Sequence, residues 1–294
     1  MSSKGEMSSG LTTGVLQGFK TGLGFSRMES GFKKGLLNGI RSHDKVQDPT
    51  VGLIGSKKAQ VFWLADYCVV SGTSVTTMYN LMNSAAFLTG GSSPAYTKPG
   101  VLNDKAYIDF NSAADRISTS STYTGTAELT VMLVVRLSTL TAGRVLFYRV
   151  STTIANTIGD ILITAESGTK IRVSFIGNPT STSSVYDTYD ATLAGTNNNS
   201  WTILTVKLRM YQPTGVGSEM EIYLNGKLNM TPVTTTFGSS TSTMPNTGYS
   251  FGNNSSATSA GCHMASGIVF NYWLNTSEQI RIENFYRYYY GYRF

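Results

Sequence analysis

Two carboxylates come closest to a catalytic arrangement in this chain. Glu219 and Glu221 are separated by one residue in a stretch that alternates polar and apolar side chains, so on a β-strand both project from the same face. Retaining glycoside hydrolases use two carboxyl groups about 5 Å apart as nucleophile and acid/base. The alternative is the solvent-facing side of a hairpin, and we favour that interpretation.

Nucleophilic catalysis is poorly supported. The two histidines are His43 and His263, and because His43 falls in a predicted linker, a Ser/His/Asp or Cys/His triad would have to use His263 beside Cys262. The sequence has no HExxH or P-loop pattern, and no GxSxG in the context of a nucleophile elbow. We therefore predict no catalytic residue, no enzyme activity and a structural role for His263.

The composition argues against a nucleic-acid-binding protein. The formal net charge is +6 and the isoelectric point is about 9.2, but only 14% of the residues are charged and the basic ones are scattered. The first residues lack the apolar core of a secretion signal, so we expect the protein to be made and assembled in the cytoplasm of a host cell. Cys68 and Cys262 fit no disulfide or metal pattern and are predicted to be free core thiols.

A glycine period marks the N-terminal segment. The glycines recur every four residues in two runs, Gly10, Gly14, Gly18 and Gly22, then Gly31, Gly35 and Gly39. Each glycine costs a helix about 1 kcal/mol relative to alanine, so a helix here needs a partner, and the bare stripe lets another backbone approach. The residues expected to bind that partner are bulky and apolar: Leu11, Val15, Phe19, Leu23, Phe25, Phe32, Leu36 and Ile40.

Two alternatives for this segment stay open. A flexible Gly/Ser-rich tail fits the composition, although the regular spacing and the interleaved aromatic residues favour the packed stripe. Charged residues interrupt the segment and no run of about 18 apolar residues exists, so we predict no membrane span. Contact of the arm with a membrane surface is the second alternative.

In the remaining chain, turn-forming residues separate short apolar runs, as is typical of a β-sandwich. We predict an anchoring arm over residues 1–45, a linker over 46–60 and one β-domain over 61–294, a size that fits a single core. Short apolar runs bounded by Gly, Asn, Ser, Thr and Pro predict strands at residues 129–137, 144–150, 160–164, 170–176, 201–210, 220–224 and 267–272.

Two local signals are stronger than the rest. Asn225-Gly226 follows an alternating strand and supplies two residues that tolerate positive φ, which predicts a tight hairpin. Near the end, Asn275 with Glu278 three residues later matches a capping box and predicts a helix that ends before Gly291. The face of this helix expected to lie against the sheet carries Ile282, Phe285, Tyr286 and Tyr289.

The order of three stretches carries a family resemblance. The first contains Phe62-Trp63 and leads to Tyr107-Ile108-Asp109-Phe110; the second is 201–210 followed by 220–228; the third is 267–274 followed by 277–291, which ends in Tyr-Tyr-Gly. Together, residues 61–292 resemble the concanavalin A-like lectin/glucanase family and its laminin-G-like relatives in viral and bacterial surface proteins. The resemblance implies an all-β jelly roll of two antiparallel sheets with a short C-terminal helix, here preceded by a helical glycine-rich arm.

The chain departs from the family at the enzymatic motif. Glucanase members use a strand with Glu-x-Asp-x-Glu, whereas Glu219-Met220-Glu221 lacks the central Asp and the third acid. Lectin relatives often hold calcium, and oxygen atoms here could come from Asp187 and Asp190 with 197–199, or from 253–254. Carboxylates are sparse, however, so we predict no cofactor and keep calcium as an alternative.

Sugar binding would need an aromatic ring beneath a pyranose. Tyr186, Tyr189, Tyr211 and Tyr249 are candidates from loops, but with 17 tyrosines the sequence favours none of them and the carbohydrate-binding residues remain unassigned. The three tryptophans, Trp63, Trp201 and Trp273, fall in strand motifs and are predicted to be core residues.

These observations predict a non-enzymatic structural protein of a virus particle, most plausibly of a bacteriophage. The arm would dock on capsid, vertex or tail proteins, and the sandwich would be displayed as a homo-oligomeric decoration, fibre or spike subunit of the virion. The alternative function is a carbohydrate-binding adhesin module for host-surface glycans.

Overall fold

A computed structural model describes residues 59–82, 86–89, 94–97, 103–110, 112, 115–120, 122–136, 144–149, 161–167, 170–176, 186–192, 201–209, 218–229, 233–235, 247–252 and 262–291. All of them belong to one of the two units into which the chain divides, Leu53–Phe294. The predicted arm, with its partner-binding residues from Leu11 to Ile40, lies outside the described residues.

The described elements are strands followed by one helix. The strands are β1 (Ala59–Leu64), β2 (Cys68–Ser71), β3 (Ser74–Tyr79), β4 (Ala86–Thr89), β5 (Ala95–Thr97), β6 (Tyr107–Phe110), β7 (Arg116–Thr119), β8 (Glu128–Arg136), β9 (Arg144–Arg149), β10 (Ile161–Ser167), β11 (Lys170–Ile176), β12 (Tyr186–Thr192), β13 (Trp201–Arg209), β14 (Ser218–Leu224), β15 (Lys227–Leu228), β16 (Val233–Thr235), β17 (Ser250–Gly252) and β18 (Cys262–Phe270). The helix is α1 (Thr276–Tyr289).

The strands form two antiparallel layers. In the layer that we call the helix sheet, β14, β13, β8 and β18 are neighbours in that order, and β18 also pairs with β1 and β6. In the opposite sheet the order is β4, β7, β17, β9, β10, β11 and β12. Strands β5 and β3 connect β6 to β4. The predicted all-β sandwich is confirmed.

Strand β8 explains why the helix sheet is buried on both faces. Leu129 and Leu133 point into the main core between the sheets, whereas Met132 and Val134 belong to a second apolar cluster on the outer face. Helix α1 supplies the other half of that second cluster. A strand that is covered on both sides contains apolar residues at consecutive positions, as β8 does.

Helix α1 begins and packs as the sequence predicts. The Asn275 side chain accepts a hydrogen bond from the Glu278 backbone N–H at 2.9 Å, and the Glu278 carboxylate accepts one from Asn275 N–H at 3.0 Å. Its inner face carries Tyr286, whose hydroxyl lies 3.0 Å from Ser266 Oγ, and Tyr290 follows, whose hydroxyl donates to the Ala265 carbonyl at 2.9 Å. The helix is therefore fixed to the outer face of β18.

The predicted Asn-Gly hairpin is also confirmed. Asn225 and Gly226 have φ values of 53° and 83°, and they connect β14 to β15. The Asn225 side chain accepts a hydrogen bond from Ile203 N–H at 2.8 Å, and its own N–H donates to the Ile203 carbonyl at 2.8 Å. This turn is consequently tied to the start of β13 as well as to β14.

Candidate functional site

One row of polar side chains crosses the outer face of the helix sheet. In the strand register Trp201 of β13 is opposite Arg136 of β8, Arg136 is opposite His263 of β18, and His263 is opposite Asp109 of β6. Side chains alternate between faces along a strand, and Cys262 next to His263 belongs to the main core. The row therefore faces away from that core, and we call its four residues the His263 row.

The centre of the row is an imidazole beside a carboxylate. His263 Nε2 lies 3.3 Å from Asp109 Oδ1, and the two side chains are 19% and 18% exposed. The ring of Tyr107 stacks on His263 with a centroid distance of 4.7 Å and lies 5.5 Å from the ring of Trp201. The row thus combines aromatic surface, a carboxylate and nitrogen donors, and solvent reaches it at His263 and Asp109.

Two ring nitrogen atoms of this row are buried and have no hydrogen-bond partner among the described residues. They are Nε1 of Trp201, a residue that is 5% exposed, and Nδ1 of His263. A buried polar group without a partner costs about 1–3 kcal/mol, and such groups are rare in folded proteins. Both nitrogen atoms belong to one row, on either side of Arg136 in the register, and they indicate hydrogen-bonding capacity that the described part of the fold does not use.

A second polar group, which we call the Arg209 cluster, occupies the other end of the same face. Arg209 lies between Glu128 and Glu219, with nitrogen–oxygen distances of 2.8 and 3.2 Å. Lys207 is buried and lies 3.5 Å from the Glu221 carboxylate, which also accepts a hydrogen bond from the Tyr223 hydroxyl at 2.7 Å. The two carboxylates with the spacing of a glycosidase pair are therefore both engaged, and they are half-buried rather than fully solvent-facing.

The Arg209 cluster corrects the prediction for Trp273. This residue was expected in the core, but its ring is half-buried and lies 4.7 Å from the Arg209 guanidinium and 5.6 Å from Lys207 Nζ. Its backbone N–H donates to the Glu128 carboxylate at 2.9 Å. Strand β18 ends at Phe270, so Trp273 lies in the connection to α1 and covers the cations. The core prediction is confirmed for Trp63, and Trp201 is buried in the outer cluster.

Burial shifts the pKa of two groups where α1 packs on the helix sheet, Lys207 in β13 and Glu283 in α1. Burial lowers the pKa of Lys207, and the neighbouring Glu221 carboxylate opposes this shift. Burial raises the pKa of Glu283, against the effect of a hydrogen bond from Gln279 and of the charges of Arg287 and Lys207. The Gln279 amide donates to Glu283 at 2.8 Å. That hydrogen bond lies within α1, whereas the interaction of the Glu283 and Lys207 charges acts between the helix and the sheet.

One tyrosine candidate for sugar stacking, Tyr249, is not supported by the structure. Tyr249 is 2% exposed, donates its hydroxyl hydrogen to Gln60 and packs against Phe147, so it cannot present a ring to a ligand. For Tyr186 and Tyr189 only the backbone, in β12, is described. Tyr211 lies outside the described residues.

A GxSxG string, residues 248–252, also falls within the described part. Its Ser250 lies in β17 between β7 and β9, and its Oγ is 2.8 Å from Ser118 Oγ. A nucleophile elbow requires a sharp turn from strand to helix, which this strand does not provide. His263 lies in the other sheet, so the geometry does not assemble a triad around Ser250.

The described residues contain no metal-binding cluster and no membrane-spanning helix. Within them, no cluster of three or more His, Cys, Asp or Glu side chains could hold a metal ion. The asparagines proposed as calcium ligands, 197–199 and 253–254, lie outside that part of the chain. The one helix described there, α1, is too short and too polar to span a bilayer. Neither cysteine forms a disulfide in the described part of the chain; Cys262 is buried as predicted, whereas Cys68 is half-buried.

The comparisons with known proteins give a structural likeness alone. No family model matches the sequence, and no curated protein matches it. Among solved structures, a botulinum neurotoxin type C described by its interaction with two ganglioside molecules has a TM-score of 0.51 at 13% identity, over 80% of this chain and 53% of that one. The botulinum neurotoxin DC binding domain in complex with rat synaptotagmin II has a TM-score of 0.53 at 12% identity, over 79% and 52%.

A third example is the receptor-binding domain of botulinum neurotoxin type G, with a TM-score of 0.51 at 13% identity over 80% of this chain and 54% of that one. Two of these three structures are described as a binding or receptor-binding domain. This chain spans about half the length of the structures it matches. At these identities the likeness establishes the fold.

Sequence reasoning missed the His263 row. His263 and Asp109 were both noted, one as a lone histidine and the other within a family-like strand, but nothing in the sequence placed them opposite each other. The available signal was the alternation of polar and core residues in Tyr107-Ile108-Asp109-Phe110. That alternation indicates which residues share a face, while the pairing of β6 with β18 is a tertiary fact.

Proposed function

We propose that this protein is a non-catalytic recognition module that binds carbohydrate on a target surface. The observation that carries the proposal is the fold. The β-sandwich is similar to a solved receptor-binding domain and to a botulinum neurotoxin type C that is described by its interaction with ganglioside molecules. Fold alone does not determine function, and the match covers about half of those chains. Ligand and partner therefore belong to the proposal.

The Arg209 cluster supports the non-catalytic part. A retaining glycosidase needs two carboxyl groups that both face the bound sugar. Glu219 instead lies beside Arg209 at 3.2 Å, and Glu221 is shared by Lys207 and Tyr223. With both groups committed to neighbouring side chains, the arrangement stabilises the sheet rather than forming a reactive pair.

The proposal is tested with the full chain on a glycan array, followed by calorimetric titration of the best ligand. We expect saturable binding to one class of glycan, competition by the corresponding free sugar, and no hydrolysis of the bound glycan. Absence of saturable binding to any glycan would overturn carbohydrate recognition. Release of a reducing sugar would overturn the non-catalytic assignment.

A structural role in a virus particle is the second candidate, and the glycine period of the N-terminal segment favours it. In this hypothesis the arm docks on other virion proteins, the protein is a homo-oligomer assembled in the host cytoplasm, and the sandwich is displayed. The two functions are compatible, because a displayed sandwich can also attach the particle to host glycans. Deletion of residues 1–45 should abolish incorporation into particles, and continued incorporation would contradict this hypothesis.

A further inference from the structure

We propose that the His263 row is the carbohydrate site, and that it binds a neutral sugar through adjacent hydroxyl groups. The inference rests on the proposed function for the existence of a glycan ligand and adds the location and the chemistry. Two independent observations support it. The strand register places four polar side chains in one row, and two buried ring nitrogen atoms in that row have no hydrogen-bond partner in the described part of the chain.

The hydrogen-bonding groups of the row match a hydroxylated ligand. The Trp201 indole N–H can only donate, the Asp109 carboxylate can only accept when ionised, and a neutral imidazole does both through its two nitrogen atoms. A sugar hydroxyl also donates and accepts, so neighbouring hydroxyl groups can satisfy Trp201 and His263 together. An apolar ligand would leave both nitrogen atoms unsatisfied and would gain nothing from them.

Charge favours a neutral ligand over a free anion. The row contains one permanent cation, Arg136, and one carboxylate, Asp109, each opposite His263 in the register. A sulfate or phosphate ion would be attracted by Arg136 but repelled by Asp109. A neutral hydroxylated ring avoids this repulsion and uses the carboxylate as a hydrogen-bond acceptor.

Aromatic surface and access complete the site. The Tyr107 ring lies between the rings of His263 and Trp201, so the base of the row is apolar, as sites for small ligands usually are. Solvent reaches the row through His263 and Asp109, and Arg136 is also half-buried. Because the indole nitrogen is buried, we expect a ligand hydroxyl to reach it only when these partly exposed side chains rotate.

The Arg209 cluster provides a contrast on the same face. It also contains an aromatic ring, carboxylates and cations, but the charged groups of Arg209, Glu128, Glu219, Lys207 and Glu221 are paired with one another. A ligand there would have to break ion pairs. Trp273, in that cluster, is therefore a matched control for Trp201.

The chain has three tryptophans, so proton–nitrogen correlation spectra of the full-length protein contain one indole N–H signal for each. Replacement of each tryptophan by phenylalanine assigns the signals. D-galactose, N-acetyl-D-galactosamine, N-acetylneuraminic acid and inorganic sulfate are the titrated probes. We expect a neutral sugar to shift the Trp201 signal in a saturable manner and to leave the signals of Trp63 and Trp273 unchanged. We expect sulfate to shift none of the three signals.

Two variants test the site independently of assignment. Trp201→Phe removes the indole N–H and keeps an aromatic ring, and His263→Ala removes the imidazole; each should weaken binding roughly tenfold, the effect of one lost hydrogen bond. Trp273→Phe should bind as the wild type does. Thermal unfolding of all three variants shows that the comparison concerns folded protein.

The outcomes separate the two proposals. Saturable sugar binding that leaves the Trp201 signal unmoved and persists in both row variants overturns this site and leaves the proposed function standing. Preferential binding of sulfate or of N-acetylneuraminic acid at Trp201 overturns the neutral-ligand inference. Absence of saturable binding by any sugar on the array or in the titrations overturns both.

Discussion

The carboxylate of Glu283 in α1 lies against Gly226 in the turn between β14 and β15, where a Cβ atom would overlap one of its oxygen atoms. The neighbouring Arg287 donates to the carbonyl of Asn225 at 2.8 Å. The C-terminal helix is therefore in direct contact with the Asn-Gly hairpin through both Glu283 and Arg287. Gly226 is required there twice, once for its φ of 83° and once for the space that it leaves to Glu283.

Gly226→Ala should destabilise the protein more than a positive φ alone explains. An alanine at positive φ costs about 1–2 kcal/mol, and displacement of Glu283 from its Gln279 bond adds about 1 kcal/mol. The matched control is Gly72→Ala. Gly72 also has a positive φ, 62°, but no heavy atom of the described residues lies within 4 Å of the position that a Cβ atom would take. Urea unfolding of both variants measures the difference, and equal losses would show that the contact with Glu283 is unimportant.

Replacement of Glu283 should change the pH dependence of stability. Burial raises the pKa of this carboxyl above its ordinary value of 4.5, so the folded protein retains the proton at pH values where the unfolded chain releases it. The wild type then loses stability relative to Glu283→Gln as the pH rises from the ordinary value through the raised one.

Urea unfolding of the wild type and Glu283→Gln at about pH 4 and about pH 8 tests this linkage. The stability of the variant relative to the wild type should be greater at the higher pH, because at the lower pH most Glu283 carboxyl groups are protonated in both the folded and the unfolded protein. If the wild type instead becomes more stable relative to the variant as the pH rises, the attraction of Arg287 and Lys207 for the carboxylate outweighs the cost of burying its charge.

Asn275→Ala should cost about 1 kcal/mol of stability, because it removes the acceptor for the first free N–H groups of α1. The Asn275 side chain accepts from Glu278 N–H at 2.9 Å and from the Ser277 hydroxyl at 2.7 Å. Asn275→Asp keeps an acceptor at this position and should retain most of the stability. Equal unfolding midpoints for the alanine and aspartate variants would exclude a contribution from the cap.

Both thiols should react slowly in the native protein. Cys262 is 1% exposed. Burial, with the nearby Asp66 charge, raises the pKa of Cys68 to about 12, and its thiol donates to the Ala65 carbonyl at 3.3 Å. The reactive species is the thiolate, so a disulfide reagent at neutral pH should label the two cysteines only after denaturant is added. Rapid labelling of one thiol, abolished in Cys68→Ser, would contradict this expectation.

Deletion of residues 1–45 should leave the sandwich folded. The hydrophobic clusters of the described residues lie between Ala59 and Tyr290, so the truncated chain keeps every one of these side chains. We expect its thermal unfolding midpoint to fall within about 2 °C of that of the full chain. A large drop in the midpoint would show that the arm is part of the folding unit.

The sequence by itself determined the local elements: the turn, the helix cap and several strands. The Asn225-Gly226 turn, the Asn275 cap with Glu278 and the short runs that became β8, β9, β11, β13 and β14 were all predicted, because each depends on residues within a few positions of one another. A residue that tolerates positive φ, or a side chain that reaches an N–H three positions later, has the same effect in almost any tertiary setting. The family-like order of these elements extended that information to the fold class.

Only the tertiary structure decided which residues meet. Trp201, Arg136, His263 and Asp109 come from four strands that are distant in the chain, and their row exists because β13, β8, β18 and β6 are neighbours in one register. The sequence indicates that successive side chains alternate between faces, but it does not specify the partner strand or the face that is covered. Trp273 was misplaced for this reason: an aromatic residue just beyond a strand resembles core until the cations beneath it are located, and their position is set by long-range pairing.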